Sequence, residues 1–498
     1  MKLSPAKKMH KRLTRSTAVI CVFLLFLSQE STVLADNLTA EERLESQRAM
    51  PVASNQVPNW PAGPIVGAES AILMEAETGT ILYEKNIHQK EYPASTTKIL
   101  TALIASERCS MDEIVTFSHD AVFDTPRDSS HIAMDVGQEL TLEQCLNAIL
   151  IRSANEVCFA TAEHITGTTD WSVFADIMNE RADELGCLNS HFANPNGLPD
   201  ENHYTTAYDL AMIGRAFFAN EMLCKITLTR RMEFPATDRL PQGKLEVNLM
   251  KIIPGGEYAY EYLVSCKTGY TDDARSCLVS CAEKDGMKLI CVVMKDEAPY
   301  QYEDTISLFN YGFSNFEKIY VSQTDTKYNI DNGELFYSGN DIFGNSKPFL
   351  SLNKEDFIVL PRTASFEDTE SVISYDTAEN SEAALITYSY HGVPIGSIRV
   401  DFAIDENDTY LFDTLPESSD ISREEQAEKT SFIFVNVLRI LLALAGIAVV
   451  LFLILLVKAF LKNYAFAERN NRRTWRRNRR QRRRKSKWSG SNHYRDYD

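Results

Sequence analysis

The 498 residues suffice for two or three domains with full hydrophobic cores, and the chain carries a net charge of −18. The charge is segregated: residues 1–35 hold six basic and one acidic side chain, residues 458–498 hold fifteen and three, and the stretch between holds 30 against 65. So acidic a body is unsuited to binding nucleic acid.

At the N-terminus, Lys2, Lys7, Lys8, Lys11, Arg12 and Arg15 precede a short apolar run from Ala18 to Leu27, and Val33-Leu34-Ala35 follows. This pattern predicts a signal peptide over residues 1–35, cleaved after Ala35. Residues 36–60 are polar and carry Pro51 and Pro58, which reads as a flexible lead segment. A catalytic domain is expected at 61–319. Within it, apolar runs at 71–74 and 80–83 flank Glu75-Ala76-Glu77-Thr78-Gly79, a hairpin pattern. Apolar spacing predicts helices over 95–106, 142–151, 156–165, 171–185 and 206–218. From Leu263 the pattern turns to strands, with 276–282 and 288–294 joined across Glu283-Lys284-Asp285-Gly286. Strands, helices, then strands predict an α+β domain, one antiparallel sheet covered by helices.

Alternating stretches at 358–360, 384–390 and 395–402 place a small β domain at 320–418, followed by a polar linker at 419–431. From Phe432 to Phe460 Arg439 is the only charge before Lys458, so a C-terminal transmembrane helix is expected at 432–460. Residues 461–498 form a basic tail. The positive-inside bias puts that tail in the cytoplasm and the acidic body outside, as a single-pass cell-membrane protein. The tail could also hold anionic lipids, at about 1 kcal/mol per Lys or Arg. A plain stop-transfer flank explains its composition as well.

Apart from Cys21 in the leader, nine cysteines lie between Cys109 and Cys291, with no C-x-x-C pair and no accompanying His spacing. No metal site or cofactor is expected from this pattern, and buried unpaired thiols are.

Three triplets carry the chemistry, in chain order: Ser95-Thr96-Thr97-Lys98, Ser153-Ala154-Asn155 and Lys267-Thr268-Gly269. A serine hydroxyl needs a base, and Lys98 three residues on shares a helical face with Ser95. To act as that base Lys98 must be neutral, which burial and a second amine nearby would favour. Ser153 could relay a proton between Lys98 and a leaving amine, and Asn155 could orient Lys98 or the substrate backbone. Lys267 and Thr268 could bind a terminal carboxylate, and Gly269 could let a substrate strand approach. Each triplet alone is common, S-x-x-K being by itself an ordinary helix start. Their conjunction is what points to amide-bond attack by serine without histidine.

Read with their flanks, Tyr92-Pro93-Ala94-Ser95-Thr96-Thr97-Lys98, Ser153-Ala154-Asn155 and Lys267-Thr268-Gly269-Tyr270-Thr271 resemble the motifs of low-molecular-mass penicillin-binding proteins. These are serine-type D-alanyl-D-alanine carboxypeptidases of the peptidase S11 type. The resemblance extends through Asn194-Pro195-Asn196-Gly197-Leu198, His203-Tyr204-Thr205-Thr206-Ala207 and Cys277-Leu278-Val279. It implies a transpeptidase-like fold and removal of the terminal D-Ala from peptidoglycan stem peptides through an acyl-serine. It implies an oxyanion hole from the N–H groups of Ser95 and Tyr270, and β-lactams as covalent inhibitors of Ser95. It also implies that the β domain stands the site off the membrane. Two departures stand out: Arg275 occupies a position where the family usually has glycine, and the anchor is a full spanning helix with a basic tail. A class A β-lactamase would need Glu-x-x-x-Asn between the second and third motifs, and none occurs. G-x-S-x-G and H-E-x-x-H are also absent. The rival from another class is a wall-binding sensor that keeps the fold without catalysis.

Overall fold

The computed structural model describes residues 39–234, 236, 242–325, 350–375 and 382–402. The signal peptide, the linker, the membrane helix at 432–460 and the basic tail lie outside the described residues. Among the described residues no helix is long and apolar enough to cross a membrane.

The lead segment is not the flexible stretch its polarity suggests. Thr39 and Glu42 form a reciprocal capping box that starts a helix, α1, Ala40–Arg48. Its fixed contacts are polar. Arg43 pairs with Glu297 at 2.7 Å, Gln47 Nε2 donates to the Lys295 carbonyl at 3.0 Å, and the buried Lys85 donates to the Gln47 carbonyl at 2.8 Å. Leu44 is its one buried apolar side chain, so no hydrophobic stripe marks the helix in the sequence.

Five antiparallel strands form the central sheet: β1 Ser70–Glu75, β2 Ile81–Lys85, β3 Leu263–Thr271, β4 Arg275–Lys284 and β5 Met287–Asp296. Their order is β2-β1-β5-β4-β3, which leaves β3 on an edge. The Asp285-Gly286 turn forms as the sequence predicts. Lys284 faces Met287 across it, and both turn residues have positive φ, 51° and 76°.

Side chains alternate between two cores. Ile72, Met74, Ile290 and Val292 face a layer built from α2 Lys98–Arg108, α3 Asn155–Thr166, α4 Trp171–Glu184 and α5 Ala207–Ala219. Ala71, Leu73, Leu289 and Val293 face the other way, onto α6 Tyr300–Asn315 and residues of the β region such as Ile358 and Tyr388. Burial on both faces explains why these strands read as apolar runs without polar alternation. All nine cysteines from Cys109 to Cys291 are unpaired, and all but Cys109 are buried.

In the β region, Phe316–Tyr320 pairs with Phe357–Pro361. A four-stranded antiparallel sheet follows, with Leu350–Leu352 at one edge, then Val393–Phe402, Glu382–Tyr390 and Glu370–Ser374. Strand pairing with this region therefore begins at Phe316, directly after α6.

Candidate active site

Ser95 sits in a tight 3-10 turn, Ala94–Thr97, that leads into α2 at Lys98. Ala94 enters this turn at φ 47°, a left-handed conformation uncommon for alanine. One turn of helix then carries the Lys98 amine back to 2.8 Å from Ser95 Oγ. Lys98 Nζ also lies 2.7 Å from Asn155 Oδ1 and 2.6 Å from the Asn196 carbonyl oxygen. Those two oxygens only accept. A neutral amine has two protons for them and one lone pair, which faces the hydroxyl of Ser95. Burial lowers the Lys98 pKa to about 8, against the opposing pull of Cys158 and Glu156.

The second segment reaches the site through strained backbone. The helix Leu142–Asn147 continues into a π turn, Ala148–Arg152, and Ser153 closes it at φ 59°, ψ 34°. Asn155 then opens α3. Its amide is used at both ends, Oδ1 on Lys98 and Nδ2 donating to Ser129 Oγ at 3.0 Å. Of the two roles expected for Asn155, the structure shows the orienting of Lys98. Ser153 Oγ accepts from Lys267 Nζ at 3.2 Å, so its hydrogen-bond partner is the second lysine rather than Lys98.

Lys267 is buried in the edge strand β3 and also donates to the Thr268 carbonyl at 2.7 Å. Burial first, then the charge of Lys98, lowers its pKa to about 7. Thr268 Oγ1 rests at 3.2 Å on the thioether of Met250, a weak acceptor that a better partner would displace. Tyr270 is exposed next along the strand, its hydroxyl 3.2 Å from Asp272. Gly269 also leaves room within the protein itself. A Cβ there would lie 2.8 Å from the Pro93 carbonyl and 3.0 Å from the nitrogens of Ser95 and Thr96. The nucleophile's own turn occupies the space, which sets the Ser95 N–H against the strand one residue from Tyr270.

Beneath the turn lies support that the three triplets do not reveal. A Cβ on Gly197, at φ 81°, would fall 1.8 Å from the Ala94 carbonyl oxygen. Asn194 Oδ1 accepts from the Gly197 N–H at 2.8 Å and so holds the loop that presents the Asn196 carbonyl to Lys98. His203 Nδ1 accepts from the Ala193 N–H at 3.1 Å, leaving Nε2 to donate to Thr97 Oγ1 at 2.8 Å. Burial lowers the His203 pKa to about 4, so the ring is neutral and structural. The quoted stretches Asn194–Leu198 and His203–Ala207 hint at these contacts. The carbonyl of Asn196, being backbone, leaves no side-chain signature.

Arg275 begins β4 at φ 51°, the left-handed conformation that glycine adopts freely. The β3–β4 turn closes around it nonetheless, with Thr271 facing Arg275 and the Ala274 N–H on Thr271 Oγ1 at 3.0 Å.

Known proteins share sequence and fold with this chain. The profile of the Peptidase_S11 family, D-alanyl-D-alanine carboxypeptidase, matches residues 57–298. Over 278 residues, 54% of this chain and 68% of the relative, the chain is 33% identical to the D-alanyl-D-alanine carboxypeptidase DacF of Bacillus subtilis. It is 28% identical over 270 residues to DacB2 of Mycobacterium tuberculosis, covering 53% of this chain and 86% of that one. In fold it is similar to penicillin binding protein 5 from Haemophilus influenzae, with a TM-score of 0.53 at 23% identity, covering 69% of this chain and 98% of the other. With a relative 33% identical of which the chain covers 68%, and a family profile matching 57–298, the chain belongs to the peptidase S11 family.

Proposed function

We propose that this chain is a serine D-alanyl-D-alanine carboxypeptidase that trims the terminal D-Ala from peptidoglycan stem peptides. One observation carries the reading: a fully buried lysine amine 2.8 Å from Ser95 Oγ, with its other contacts made to oxygens that only accept. Lys98 takes the proton as Ser95 Oγ attacks the penultimate D-Ala carbonyl. The N–H groups of Ser95 and Tyr270 hold the oxyanion. Lys267 and Thr268 anchor the terminal carboxylate, and the hydroxyl of Ser153, held by Lys267, relays the proton taken by Lys98 to the leaving amine, which returns Lys98 to the neutral form for deacylation. Water then hydrolyses the acyl-serine. β-Lactams acylate Ser95 as substrate mimics.

The test is free D-alanine release from a diacetyl-Lys-D-Ala-D-Ala peptide, with and without a β-lactam. Release that a β-lactam does not suppress would count against the reading.

The same assay reports the two amines. Turnover needs Lys98 neutral and Lys267 charged, and the lowered values near 8 and 7 bring both within reach of neutral pH. The anion of a bound substrate raises Lys267 and so favours the proton there. Acid keeps a proton on Lys98, whereas alkali strips Lys267. We expect kcat/KM to be bell-shaped, with limbs near 7–8 and a fall of about tenfold per pH unit beyond each. An unbroken rise to pH 10 would remove Lys267 from substrate binding.

For location, the leader, the apolar run at 432–460 and the Arg-rich tail support a single-pass cell-membrane protein with its catalytic domain outside. The tail then faces the cytoplasm, where anionic lipids are its natural contact. Protease added to intact cells should digest the acidic body and spare a C-terminal tag; loss of the tag would reverse the orientation.

A further inference from the structure

The helices that bring Lys98 and Asn155 together also meet at their other ends. Lys98 opens α2 and Cys109 caps its C-terminus. Asn155 opens α3 and His164 lies in its last turn. Because Lys98 touches Asn155 and Cys109 lies beside His164, the two helices run parallel. Glu113, in the loop after α2, completes the far cluster. The Sγ of Cys109, a carboxylate oxygen of Glu113 and a ring nitrogen of His164 all lie within 4.8 Å of one another.

We propose that Cys109, Glu113 and His164 form a binding site for a zinc-class divalent cation, with water as the fourth ligand. Thiolate, carboxylate and imidazole are the ligand types zinc takes, and three protein ligands plus one water is a regular zinc arrangement. Bonds of about 2.0–2.3 Å in a tetrahedron place donors roughly 3.3–3.6 Å apart. His164 Nε2 and Glu113 Oε2 stand at 2.9 Å, so a cation replacing the proton between them parts them by only a few tenths of an ångström. Cys109 is the one cysteine among the nine that is not fully buried, and its Sγ lies within 4.8 Å of both other donor atoms.

The surroundings fit a cation independently of the ligands. Two helix C-termini converge there, and each presents the negative end of its dipole. Glu113 is oriented from behind, its Oε1 accepting from the Ser110 N–H at 2.6 Å, as metal-binding carboxylates are. Thiolate and carboxylate balance the two positive charges, and the thiol proton leaves to solvent as the metal binds. Burial and the charge of Glu113 hold the Cys109 thiol protonated until then. Sequence spacing conceals the cluster because His164 arrives from a different helix than Cys109. Helix rise places it roughly 15 Å from the Ser95–Lys98 pair, so its role would be to clamp the far ends of the helices that hold the catalytic groups.

The test uses the full-length protein, tag-free and reduced, stripped with EDTA and then dialysed against Zn2+ or Co2+. One equivalent of Zn2+ should be retained, and the Co2+ form should show thiolate-to-metal charge transfer. Cys109→Ser should abolish that band, and His164→Ala should weaken Zn2+ binding by more than the roughly 10–100-fold cost of losing an outer partner. In the wild-type protein, which needs no variant to fold, Zn2+ should protect Cys109 from iodoacetamide. Penicillin labelling should persist after EDTA. No retained zinc, unchanged binding in Cys109→Ser, or equal alkylation with and without Zn2+ would overturn the site.

Discussion

Ser95→Ala is expected to abolish covalent labelling by a fluorescent penicillin and to lower kcat/KM on a D-Ala-D-Ala peptide by roughly six orders of magnitude, the scale of losing a serine nucleophile. The hydroxyl is one of three partners of Lys98, and the other two remain in the variant. Lys98 therefore stays seated, and the backbone of the Ala94–Thr97 turn is untouched. The fold should melt at nearly the wild-type temperature, which separates a chemical loss from a structural one. Persistent labelling of the variant would exclude Ser95 as nucleophile. Absence of labelling in the wild-type chain would favour the wall-binding sensor.

Replacing Lys98 should cost less than removing the nucleophile but still most of the rate, and the choice of replacement is informative. Lys98→Ala removes the base, worth about 10²–10⁴ in rate, and leaves the Asn196 carbonyl and Asn155 Oδ1 without their donor. Lys98→Arg keeps a donor and a charge but cannot give up its proton. If Lys98 works by accepting the Ser95 proton, both variants should lose acylation by penicillin, and small alkylamines should partly rescue only the alanine variant. An arginine variant acylating at the wild-type rate would show that charge alone suffices. The second-order acylation rate is the quantity to measure.

Much of this site is legible in the sequence because its reactive atoms belong to side chains. Ser95, Lys98, Ser153, Asn155 and Lys267 are each identified by residue type, and the structure draws them together as a Ser95–Lys98–Asn155 network beside a Ser153–Lys267 pair. What spacing cannot show is how that network is wired. The left-handed Ser153, delivered by a π turn, directs its hydroxyl to Lys267. Backbone conformation of this kind follows from tertiary packing and has no composition signature. The Asn196 carbonyl and the Ser129 hydroxyl are hidden for the same reason.

The fold divides similarly. The Asp-Gly hairpin and helices with an apolar face are readable. Others are not, α1 and α6 among them. α1 docks through polar contacts. α6, which the sequence reading leaves out, buries Asp304 and Thr305 beside Leu308 and Phe309. The Asp304 carboxylate accepts from the N–H groups of Gly67 and Ala68, so a polar residue occupies what periodicity treats as a core position.

The unpaired thiols bear on where such a molecule can mature. Packing alone, with no covalent staple among the described residues, holds the catalytic body together. Burial raises the pKa of Cys158, Cys266 and Cys277 to about 12, so these sulfurs stay protonated and inert to exchange. Folding of the described body then calls for no disulfide oxidase or disulfide isomerase, and the same native state is within reach in anoxic and aerated surroundings alike.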